Sequence, residues 1–76
     1  MTPDEMRDAR GKLGVIWGKN RPISAATLGR ALGLGGRDPG QSIHDYERGN
    51  TNISGPIARL IRIYLRGVLP EDGVPD

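Results

Sequence analysis

The 76-residue chain has no cysteine, no phenylalanine, one histidine and only three aromatic residues, Trp17, Tyr46 and Tyr64. Without cysteine there is no disulfide framework and no thiolate metal site, and a single imidazole does not make a zinc site. No serine stands in a recognisable nucleophile motif, so an enzyme is not expected. No apolar run approaches the roughly 20 residues that span a membrane. The start Met1-Thr2-Pro3-Asp4-Glu5 is acidic and lacks an apolar stretch, so a secretory signal is not expected and a soluble, cytoplasmic protein is. No cofactor, membrane partner or small-molecule ligand is implied. Three aromatics, two of them expected to be buried, also argue against single-stranded nucleic acid or RNA, which such proteins grip by stacking bases on aromatic rings.

What is present is positive charge. The formal net charge is only +2, but six of the nine acids sit near the ends: Asp4, Glu5, Asp8, Glu71, Asp72 and Asp76. Residues 9–70 hold ten Lys and Arg against Asp38, Asp45 and Glu47, a balance of +7. A basic middle of this kind fits a surface that meets nucleic acid. The length makes one domain near the lower limit for a self-sufficient core, for which pairing with a second copy helps.

In chain order, Thr2-Pro3-Asp4-Glu5 has the spacing of a capping box with proline at the first helical position. Met6, Ala9, Arg10 and Leu13 then follow at helical spacing. The first helix stops at Gly14 or, running on through Val15, Ile16 and Trp17, at Gly18. Trp17 is expected to plug the core. Lys19-Asn20-Arg21-Pro22 is a basic loop, and Ser24 is the N-cap of a second helix, Ala25 to Leu32. Lys19, Arg21 and Ser24 are therefore candidate phosphate contacts.

Residues 28–49 read as helix, turn, helix. Leu28 and Leu32 lie one turn apart, and Gly29 on their side lets another backbone come close. Gly33 ends this helix. Asp38-Pro39 opens the next, with an acceptor at the N-cap and a pre-set φ after it. Ile43 and Tyr46 face inward, and Gly49 closes it. The segment Gly33-Leu34-Gly35-Gly36-Arg37-Asp38 is not a dinucleotide fingerprint, because its sixth residue is Asp38, no strand precedes it and no Gly-Lys-Ser/Thr follows. Its glycines instead give a flexible turn that brings Arg37 to a nucleic-acid backbone or to bases. A short capped helix held by two apolar anchors and presenting polar groups suits a DNA groove. Gln41 suits adenine, Ser42 and His44 are further base-edge candidates, and Asp45 accepts from a cytosine amino group or pairs with Arg48. Arg48 and Asn50 are assigned to phosphate.

Gly29, Gly33, Ile43 and the ending Tyr46-Glu47-Arg48-Gly49 resemble the small position, turn glycine, buried aliphatic and Trp-Glu-x-Gly ending of the Cro/XRE-type helix-turn-helix repressors. The resemblance covers roughly residues 6–65. Two departures are visible: four extra residues lie between Gly33 and Ile43, and Ala25 stands where the family usually places a phosphate-touching glutamine. The resemblance implies a lambda-repressor-like bundle of four or five helices and an ion pair between Arg10 and Glu47, because an arginine of helix one pairs with the motif glutamate in that family. It also implies a repressor of a phage or mobile-element operon.

Ser54 is the N-cap of a last helix reaching Arg66 or Leu69, with Ile57, Leu60, Ile61, Tyr64, Leu65 and Val68 as its apolar stripe. Arg59, Arg62 and Arg66 line the opposite face. Ile63, Leu65 and Leu69 are the candidate dimer contacts. The expectation is an all-α DNA-binding domain over 1–69 with a short flexible acidic tail over 70–76. It would act as a transcriptional regulator, a homodimer on an inverted-repeat double-stranded operator, since one recognition helix covers only a few base pairs. The alternative is a protein-interaction module, an antitoxin or anti-activator, that uses the same fold.

Overall fold

Every helix opens on a side chain that caps it. The computed structural model describes residues 1–34 and 37–74. It holds α1 (Pro3–Ile16), α2 (Ala25–Ala31), α3 (Pro39–Arg48) and α4 (Gly55–Leu65), with no strand among the described residues. The protein is the small all-α fold that the sequence predicts, with four helices among the described residues. Thr2 and Glu5 form the capping box: the Glu5 N–H donates to the Thr2 hydroxyl at 3.1 Å and the Thr2 N–H to the Glu5 carboxylate at 3.0 Å. The Thr2 backbone N–H, then its hydroxyl, hold the Glu5 carboxyl below its ordinary range. Ser24 accepts from the Thr27 N–H at 3.0 Å, Asp38 from the Gly40 N–H at 3.0 Å, and Ser54 from the Ile57 N–H at 3.4 Å. Pro3, Pro39 and Pro56 sit in first turns, where a missing N–H costs nothing.

The core gathers one face of each helix. Met6, Ala9 and Leu13 come from α1, Ala25 and Leu28 from α2, Ile43 and Tyr46 from α3, and Ile61 and Tyr64 from α4; Ile23 and Leu32 complete it. The Tyr64 hydroxyl donates to the Ala31 carbonyl at 2.7 Å, closing the open end of α2 from α4. Burial, and then the nearby Glu71 and Asp72, push the Tyr64 phenol above its ordinary value.

The structure chooses between some expectations and changes others. α1 takes the longer of its two expected courses, past Gly14 to Ile16, so Val15 and Ile16 are helical. Trp17 is half-buried, edge-on to Tyr64 with ring centroids 6.0 Å apart, and its indole N–H has no partner among the described residues. α4 ends at Leu65, and Gly67 at φ +102° turns the chain away, which takes Val68 out of the apolar stripe and leaves it 52% exposed. Ala58, absent from the expected stripe, is buried in its place. In the acidic tail, Pro70 is buried, and residues 71–74 line a hollow with Leu32, Leu60 and Tyr64. Pro75 and Asp76 lie outside the described residues.

Candidate nucleic-acid interface

α2 and α3 make the most extensive helix contact in the chain, and glycine allows it. A Cβ on Gly29 would overlap the Pro39 carbonyl, and one on Gly40 would crowd the backbone of Ala25 and Ala26. Gly40 is a poor helix former, kept inside α3 because α2 passes against it. A third close approach fixes the basic loop: a Cβ on Gly14 would overlap the Arg21 carbonyl, so this loop lies directly on α1. Sequence reasoning missed Gly14 and Gly40, and only the inward glycine in each helical pattern hinted at them.

α1 holds α3 through one residue. Arg10 Nε and Nη2 donate to the two Glu47 carboxylate oxygens at 2.7 and 3.0 Å, and Glu47 is only 6% exposed. The pair that the resemblance implies is therefore present. Arg10 Nη1 also reaches the Ile23 carbonyl at 3.4 Å. Arg7, which the sequence did not single out, donates to the Glu47 carbonyl at 2.6 Å. That carbonyl is among the last four of α3, which have no partner inside the helix. Arg7 and Arg10 stand three apart on α1 and so share a face, the one signal that pointed to Arg7.

Thus held, α3 buries Gly40, Ile43, Tyr46 and Glu47 and turns Gln41, His44 and Arg48 outward. Those three fall within about 60° of one another around the helix. Asp45 borders the stripe, half-buried, and accepts from the Gln41 amide at 3.1 Å. It does not pair with Arg48, the partner that the sequence allowed; the bond to Gln41 holds that amide in place. Ser42 is half-buried on the flank. Gly49 at φ +76° ends α3, and Asn50 follows, exposed, with its N–H bonded to the Asp45 carbonyl at 3.0 Å. Arg37 is exposed just ahead of the Asp38 cap, while Gly35 and Gly36 of the turn lie outside the described residues.

Lys19, Arg21 and Ser24 do come together. They border an open groove of about 500 Å³ with Arg10, Thr27 and Arg30. Arg30 is a basic residue here that sequence reasoning did not pick out; its guanidinium approaches the Thr27 hydroxyl at 3.5 Å. The Ser24 hydroxyl is taken up by Thr27, whose N–H and hydroxyl lie at 3.0 and 2.8 Å, so its role is the cap.

The cations of α1 are taken up by acids, unlike four of the candidate DNA contacts. Arg7, Lys12 and Arg10 pair with Asp4, Asp8 and Glu47. Among the described residues no carboxylate or other side-chain partner engages Lys19, Arg21, Arg37 or Arg48. Nor does any group of His, Asp and Glu there suit a metal ion, and no helix there is long and apolar enough to cross a membrane. No family model, curated protein or solved structure matches the chain.

Proposed function

We propose that the protein is a sequence-specific double-stranded DNA-binding transcriptional regulator of the Cro/XRE helix-turn-helix type, acting as a homodimer on an inverted-repeat operator. The observation that carries this reading is α3: a helix gripped on one side by the α2 backbone and by Arg7 and Arg10, with Gln41, His44 and Arg48 left facing outward. A rigid helix with polar groups on its free face is what major-groove reading requires. Lys19, Arg21, Arg37 and Arg48, unpaired among the described residues, supply charge for the phosphates around it. The extents of 30 × 25 × 21 Å fit two copies side by side along DNA with their reading helices about 34 Å apart.

Titrating the protein against duplex DNA at several salt concentrations tests this. Each phosphate contact steepens the fall of log K with log salt by about 0.9. Arg21→Ala should weaken binding to all sequences alike and flatten the slope by about one. Absence of duplex binding at low salt would contradict the reading and favour the protein-interaction alternative, with Arg59, Arg62 and Arg66 as its contact face.

A further inference from the structure

Four bulky apolar side chains are exposed among the described residues: Val15 (67%), Ile16 (41%), Val68 (52%) and Leu69 (58%). Two of them stand together. Val15 and Ile16 end α1 and, with Lys12 and Leu65, line one open groove of about 480 Å³. The ends of α1 and α4 thus share an apolar seam that the fold itself does not cover, the kind of patch that marks an interface.

The rim decides what covers it. An adjoining hollow shares Lys12 and Leu65 with the groove and is bordered by Glu5, Asp8 and Arg62. Asp8 and Lys12 pair at 2.9 Å. Two carboxylates and two cations therefore stand on the side of the apolar groove where this hollow adjoins it. Glu5 and Asp8 repel a nucleic acid or an anionic lipid surface. A patch with an apolar middle and a rim of both signs complements itself when turned about a two-fold axis.

We infer that a second copy of this chain docks on this seam, through Val15, Ile16 and Leu65. The inference deepens the dimer reading above and rests on it. It replaces Ile63 as a contact: Ile63 and Leu65 stand about 200° apart around α4, so one flat interface does not use both.

Sedimentation equilibrium of the full chain without DNA tests this, comparing wild type with Val15→Glu and Ile16→Lys. Val15 is two-thirds exposed and glutamate is the better helix former, so the Val15→Glu variant should keep its circular dichroism and melting temperature. Wild type should dimerise, and each variant should do so at least about tenfold more weakly, because an ion would face apolar surface. A wild type that stays monomeric up to roughly 0.5 mM, or variants that dimerise as wild type does, would overturn the seam. Duplex titration of the same samples keeps the two readings apart. A wild-type monomer that binds duplex overturns the seam alone, and a wild-type dimer whose assembly the variants weaken, yet which binds no duplex, upholds the seam and overturns the DNA reading.

Discussion

Arg10 holds Glu47 by both carboxylate oxygens, at 2.7 and 3.0 Å, across the packing of α1 against α3. The arginine side chain is 23% exposed and the glutamate 7%, so the pair is largely removed from water. Two parallel charge-assisted bonds fix direction as well as distance. With Arg7 on the Glu47 carbonyl, the last turn of α3 is tied to α1 at main chain and side chain together. The orientation of the outward stripe of α3 therefore depends on α1, which itself presents nothing to that stripe.

Removing Arg10 leaves the Glu47 carboxylate buried without its partner. Arg10→Ala should cost roughly 3–5 kcal/mol, measured by chemical denaturation. Replacing both residues, Arg10→Met with Glu47→Leu, should cost clearly less than the two single changes added together. Additive losses would mean that the two side chains do not act as a pair.

Glycine substitutions separate close packing from helix propensity. Gly29→Ala drives a methyl into the Pro39 backbone and should cost about 2–3 kcal/mol, because a backbone contact yields less than a side chain does. Gly11→Ala in the middle of α1 meets nothing within 4 Å and should instead stabilise by about 0.5–1 kcal/mol. Melting temperatures moving in opposite directions are the expected result.

Tyr64 links stability to alkaline pH. Its folded-state pKa is raised, first by burial and then by Glu71 and Asp72, so its contribution is complete below the unfolded value of about 10. It is lost as pH rises through the higher folded value. Tyr64→Phe leaves the Ala31 carbonyl without its 2.7 Å donor and should cost about 1 kcal/mol near neutrality. The variant should also lack the Tyr64 part of the fall in stability above pH 10, which a pH series of melting curves would show.

The sequence exposed those features that are local. Thr2 with Glu5, Ser24, Asp38 with Pro39, Gly49 and Ser54 each mark a helix end through a bond spanning five residues or fewer, so reading them needs no tertiary information. Gly29 was legible as a close approach, though what it approaches was not. Gly14 and Gly40 stayed hidden, because their reason is a backbone from another segment crossing them. Val68 was misplaced by extending a helical period past Gly67. At Asp45, Gln41 and Arg48 were both within helical reach of the carboxylate, and spacing alone does not choose between them. Arg7 stayed hidden too, because its bond to the Glu47 carbonyl arises only when α1 and α3 pack.

The central claim is that α3 reads bases, and selection of bound duplexes from a random library tests it most directly. The experiment compares wild type with Gln41→Ala and Arg37→Ala. Wild type should enrich one sequence with two inverted half-sites. Gln41→Ala should lose preference at one position of each half-site, by roughly 1–3 kcal/mol. Its melting temperature should scarcely move, since an exposed polar site alters stability by less than about 0.5 kcal/mol. If wild type enriches no sequence, or if Gln41→Ala selects the same one as wild type, whether or not Arg37→Ala does, α3 is not the reading helix.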